Sequence, residues 1–171
     1  MLKGQDILVL AALGGRHAPP PTLKAIAAET GLAVSAVHRS VAELREAQLI
    51  DASRAPQLAQ IDEFAAHSLR FLFPPRMGGE TRGTPTAWAA SPLREQLASP
   101  VGEPLVWPDA HGRTRGIGLE PFHPAVPEAA RRNPAVGERL ALMDALRLGD
   151  ARVRGLAREE LRKTFSGEPR A

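Results

Sequence analysis

Apolar residues recur at helical spacing near the start of the chain and again near its end. Ile7, Leu8, Leu10 and Ala11 make Gly4–Leu13 apolar nearly all round, which predicts a buried central helix. Gly14-Gly15 ends it, and Arg16 to Pro21, closing on consecutive prolines, reads as a stiff non-helical loop. Leu23, Ile26 and Ala27 share one face of a second helix, Thr22–Glu29, and Gly31 suits a left-handed helix stop. Val34, Val37, Val41 and Leu44 then fall at intervals of three, four and three, the buried stripe of a third helix. Its outward side is expected to carry Ser35, Ala36, His38, Arg39 and Ser40. Two short helices joined by a glycine turn make a helix-turn-helix unit, whose second helix enters a major groove.

Downstream the pattern changes twice. Leu58, Ile61, Phe64, Leu69 and Leu72 keep helical spacing, and Pro56 suits a first helical turn. They predict a long linking helix over 56–70. Across residues 71–124 the periodicity fades while glycine and proline become dense. Two stretches echo each other there, Phe73-Pro74 through Thr81-Arg82-Gly83 and Trp107-Pro108 through Thr114-Arg115-Gly116. Each has an aromatic-proline start, a glycine turn and a Thr-Arg-Gly end. Both read as β-arches or hairpins turning at their glycines, with the aromatic at the edge of the core, and the pair makes one small sheet. A short helix is expected over Pro92–Ala98, and prolines keep Glu120–Pro127 extended.

Two helices close the chain. Pro134 starts one that runs to Leu148, with Val136, Leu140, Met143 and Leu146 on one face, and Gly149 ends it. Asp150 caps the next, Ala151–Thr164, and the tail from Ser166 is expected to fray. The fold class is therefore mainly α with small β content (α+β). It comprises an N-terminal helix-turn-helix, a long linking helix, a Gly/Pro-rich β-arch region and a C-terminal helical hairpin. The expected division is a reading head over 1–55, a linking or dimerisation helix over 56–72 and a C-terminal region over 73–171.

The stretch Thr22–Ile50 resembles the reading head of bacterial winged-helix regulators of the MarR and IclR type. The resemblance rests on Leu23, Ile26, Ala27, Gly31, Leu32, Ser35, Val37, Arg39, Val41, Leu44, Ala47, Leu49 and Ile50, which follow that pattern without a gap. It implies a sequence-specific DNA-binding transcriptional regulator, a repressor acting as a homodimer on double-stranded DNA. Thr22, Ser35, Ala36, His38, Arg39 and Ser40 would lie near base edges or phosphates, Arg39 foremost. The chain departs from the family at Ala33, where an N-cap serine is common, at Gln48, where glycine is common, and at Glu43, where a basic residue is common. An alanine N-cap costs about 1 kcal/mol against serine, and Glu43 disfavours a phosphate. In that family Leu49-Ile50 begins a β-hairpin wing. Here DASRAP follows instead of two alternating strands, so the wing is expected to be rudimentary or missing.

Composition narrows the partners further. The chain has no cysteine, which excludes disulfides and thiolate metal sites. His17, His38, His67, His111 and His123 show no zinc-binding spacing, and no nucleophile elbow, Walker loop or dinucleotide fingerprint occurs. No metal, cofactor or enzymatic activity is expected. No apolar run reaches the ~18 residues a bilayer crossing needs, which predicts a cytoplasmic protein without a membrane contact.

The net charge of +3 is unevenly spread: residues 1–50 hold 5 bases and 4 acids, 51–130 hold 7 and 9, and 131–171 hold 10 and 6. A nearly neutral head fits a dimer with few phosphate contacts per subunit better than a strongly cationic clamp. Around Gly149 the charges of Asp144, Arg147, Asp150, Arg152 and Arg154 form a cluster, which local salt bridges and caps explain as well as an anion does. With Arg82 and Arg115 on the echoed motifs, Arg147, Arg152 and Arg154 make up a candidate anion or partner site. A protein partner for the C-terminal region is the alternative reading, as in an antitoxin whose helix-turn-helix autoregulates its own operon.

Overall fold

A helix that is apolar on every side has to be enclosed, and Gly4–Leu13 (α1) is, with each residue from Asp6 to Leu13 buried. The chain continues through α2 (Leu23–Thr30), α3 (Val34–Glu46), α4 (Leu58–His67) and the single turn α5 (Leu69–Leu72). β1 (Met77–Thr86) follows, then a tight turn at Ala87–Ala89, the one-turn helix α6 (Leu93–Gln96), β2 (Leu105–Pro108) and β3 (Thr114–Leu119). The last helices are α7 (Val126–Arg132), α8 (Pro134–Leu148) and α9 (Ala151–Ser166). The structure is a computed structural model and describes residues 1–15, 19–99 and 101–168. Residues 16–18 of the expected proline loop and 169–171 of the tail lie outside the described residues. The α+β class expected from the sequence is the class observed.

α1 is held between two layers. α2 and α3 cover one side with Ile26, Ala27, Val37, Val41 and Leu44, and α8 covers another with Val136, Leu140 and Met143. These side chains belong to one continuous core that also takes in Trp107, Leu161 and Phe165. Arg139 of α8 is buried in it. Its guanidinium donates to the Ala11 carbonyl (2.9 Å) and the Thr164 carbonyl (3.4 Å), and it lies 5.7 Å from the Phe165 ring centre. A cation thus joins the Gly14 N–H on the Ala11 carbonyl at the C-terminal end of α1, where the helix dipole is negative. Burial pulls the Arg139 pKa down to about 10, opposed by the charge of Glu29, so it stays protonated at neutral pH. On the outside, Asp62 of α4 receives Arg158 and Arg162 of α9, each through two hydrogen bonds of 2.8 Å. The bonds from Arg158, chiefly, hold the Asp62 carboxyl well below the usual range, against the opposing effect of burial.

The β region corrects the expected arches. β1 pairs antiparallel with β2 along one edge and with β3 along the other, and β2 and β3 pair in parallel, so the small sheet closes on itself. The Thr-Arg-Gly motifs are not turns. They lie against each other in register, Thr81 opposite Gly116, Arg82 opposite Arg115 and Gly83 opposite Thr114. Strands this close leave no room for side chains at the crossings. A Cβ on Gly83 would stand 2.0 Å from the Trp107 carbonyl oxygen, and one on Gly116 2.3 Å from that of Pro104. Close approach explains these glycines. Trp107, expected at the core's edge, is wholly buried, and its indole N–H donates to Asp144 Oδ2 (2.7 Å). The same carboxylate accepts from the Thr86 hydroxyl (2.7 Å) and from Arg147 (2.6 Å), so α8 is tied to two strands.

Three boundaries differ from expectation. The linking helix stops at His67, and Leu69–Leu72 is a separate turn. Phe73 precedes Pro74 and is forced out of the helical region, with φ −126° and ψ 67°, which ends the run at Leu72. The stretch expected to stay extended to Pro127 gives way to a helix at Val126, because Pro127 sits in the first turn of α7, where a missing N–H costs nothing. At the other end α9 runs to Ser166, and Gly167 (φ 72°) closes it by donating to the Lys163 carbonyl.

Candidate nucleic-acid interface

α2 and α3 are shaped locally by their caps. The Thr22 hydroxyl oxygen accepts from the Ala25 N–H (3.0 Å) and starts α2. Gly31 ends it at φ 74°, a left-handed conformation that glycine adopts without strain. α3 then begins after Ala33, whose side chain supplies no cap, so the first-turn N–H groups of α3 have no side-chain acceptor there. At the far end Gln48, standing where the resembled family often has glycine, takes φ 59°.

The wing is present in its smallest form. Ile50 faces Pro56 in a single antiparallel bridge, with the Asp51 N–H on the Ala55 carbonyl and the Gln57 N–H on the Leu49 carbonyl, both at 2.9 Å. Asp51 Oδ1 accepts from the Ser53 hydroxyl, the Ser53 N–H and the Ala55 N–H, which stiffens the turn. These bonds, the Ser53 hydroxyl first, lower the Asp51 pKa. Arg45 reaches from α3 to the Ala52 carbonyl (2.7 Å), and Arg54 reaches back to the Pro21 carbonyl (3.1 Å). The short hairpin is thereby fastened to both helix-turn-helix partners.

Of the residues expected at the DNA, Thr22, Ser35, His38 and Arg39 are exposed. Ser40 and Ala36 are not, and this corrects the expected outward face. Ser40 is wholly buried and its hydroxyl oxygen accepts from Gln5 Nε2 (2.8 Å), while the Ala36 carbonyl accepts from the same amide (3.2 Å). Gln5 of α1 thus staples the inner side of α3. Val34, assigned to the buried stripe, is 47% exposed. The outer stripe of α3 is Val34, Ser35, His38, Arg39, Ala42 and Arg45. Spacing allows it, since residues 34, 38 and 42, and 35 and 39, repeat at four, but residues 36 and 40 repeat at four as well, so spacing alone does not choose between them.

The second expected cluster is not one site. Arg147 is buried, and it donates to Asp144, to the Phe73 carbonyl (3.1 Å) and to the Glu120 carbonyl (3.4 Å), with Phe122 4.1 Å beneath it. It is part of the core and offers nothing to a partner. Arg154 donates to the Gly149 carbonyl (2.9 Å) at the end of α8, and Arg152 is exposed nearby. Arg82 and Arg115 are exposed side by side on the sheet, and Arg115 donates to Glu80 (3.0 Å). His123 accepts the Ala125 N–H at its Nδ1 (3.0 Å), and burial lowers its pKa, as suits a packing residue. Among the described residues no group of three or more His, Cys, Asp or Glu is placed to hold a metal ion. None of their helices is long and apolar enough to cross a membrane.

A glycine-turned helix pair, mounted on a buried helix and presenting an exposed His-Arg stripe beside a minimal wing, is the architecture of a helix-turn-helix DNA-binding protein. Residues 7–53 match the IclR helix-turn-helix domain, from within α1 to the wing, which supports a DNA-binding transcription regulator. No curated protein and no solved structure matches the chain.

Proposed function

We propose that the protein is a sequence-specific repressor that acts as a homodimer and works by occupying DNA, without catalysis, in the cytoplasm. The observation that carries this reading is the exposed stripe on α3. Arg39 suits a bidentate bond to guanine, His38 a single donor bond, and the exposed Val34 a thymine methyl group. Thr22 and Ser35 stand at the starts of α2 and α3, a position that suits a phosphate contact. The head carries few cations of its own, so two heads on one duplex are needed for useful affinity. Phe71, Leu72 and Met77, exposed apolar side chains in and just beyond α5, are surface of the kind a second copy covers.

The test is selection of duplexes from a random pool, followed by titration of the selected site. Arg39→Ala should weaken binding to that site by about 10-fold or more, the loss of one bidentate base contact. Unchanged affinity would overturn the reading. Sedimentation should give twice the chain mass on DNA, and a single chain per selected site would remove the homodimer.

A further inference from the structure

We infer that the DNA-contacting surface extends beyond the helix-turn-helix to α7, where Arg132 supplies a phosphate contact beside the α2–α3 turn. The inference rests on the DNA-binding reading above. Arg132 is the last residue of α7 and lies 104 positions from Ala28, yet its Nη1 donates to the Ala28 carbonyl at 2.9 Å. The same nitrogen stands 3.3 Å from where a Cβ on Gly31 would be. Next to it, the Asn133 amide bonds the Glu29 carboxylate and fastens the end of α7 to α2. The cation is therefore held in place at the turn that leads into α3.

Several features make that place a phosphate seat. Lys24 and Ala28 of α2 and the glycine that ends it, Gly31, follow at four and three and are all exposed, so they form one line that ends at Arg132. The two small residues let a nucleic-acid backbone approach, and the cations Lys24 and Arg132 stand at its ends. α3 lacks a side-chain cap at Ala33, so this end of the head has open N–H groups and no donor side chain of its own before Ser35. Arg132 also bonds Glu128 Oε1 (2.6 Å), but both side chains are well exposed, at 42% and 59%. An exposed pair of this kind is weak and exchanges readily for a phosphate, a stronger acceptor of the same geometry.

The experiment uses the full chain and mixed-sequence duplex DNA, with affinity followed by fluorescence anisotropy over a salt series. Arg132→Ala should weaken binding several-fold at low salt and reduce the slope of log affinity against log salt by about one. Arg132→Lys should keep the slope, and Glu128→Gln should tighten binding. A purely structural cap at Ala28 would lower the melting temperature of Arg132→Ala without moving the salt slope, and an unchanged slope overturns the inference. Loss of binding to the selected site in Arg39→Ala, with no change of slope in Arg132→Ala, would overturn this inference alone. No binding by the unaltered chain would overturn it together with the reading it rests on.

Discussion

Asp144 is enclosed on every side and accepts from Trp107, Thr86 and Arg147. Burial pushes its carboxyl up, while the charge of Arg147 and the three hydrogen bonds pull it down. Removing the carboxylate leaves a buried guanidinium without its counter-ion and an indole N–H without an acceptor. Asp144→Ala should therefore lower stability by roughly 3–5 kcal/mol, read as a shift of the urea midpoint. The i,i+3 spacing of Asp144 and Arg147 made a local ion pair legible from the sequence. Its burial was not legible, because that depends on Phe73, Glu120 and Phe122, which arrive from remote parts of the chain.

At the scale of elements, α4 is joined to α9 by one acid and two bases, and this joint gives stability a pH dependence. The folded pKa of Asp62 lies below its unfolded value. Its contribution is complete above about pH 4, the ordinary aspartate range, and is lost as pH falls toward the folded value. Arg158 and Arg162 are 36% and 56% exposed, so solvent screening keeps the contribution small. Between neutral pH and about pH 3 the unaltered chain should lose more stability than Asp62→Asn, measured by urea denaturation at each pH. Equal losses would show that the joint contributes nothing. The apolar spacing showed both helices, but not that they meet, since Asp62 and Arg158 are 96 residues apart.

For the whole molecule, the shared core decides how far the reading head stands alone. α1 is the centre of the helix-turn-helix and is also covered by α8, with Arg139 on its last turn. A fragment of residues 1–55 would expose the side of α1 that α8 covers. It should show weak helical circular dichroism and no cooperative melting, whereas the full chain melts cooperatively. A cooperative transition in the fragment would mean that α2 and α3 alone enclose α1. The same contacts, with Arg132 and Asn133 on α2, give the C-terminal region a direct hold on the geometry of the head.

The sequence by itself determined the helix-turn-helix, the glycine stop at Gly31, the closing helices and the echo of the Thr-Arg-Gly motifs. Each depends on interactions within a few residues, so spacing and cap chemistry suffice. Only the tertiary structure decided which side of α3 faces outward, because Gln5 of α1 claims Ala36 and Ser40. It alone showed that the two echoed motifs are paired strands, since pairing depends on chain closure over tens of residues. It alone withdrew Arg147 into the core and brought Arg132 to the reading head. A charged residue looks the same in a sequence whether its partner is a neighbour, a buried carboxylate or a phosphate, and the packing of distant segments makes the choice.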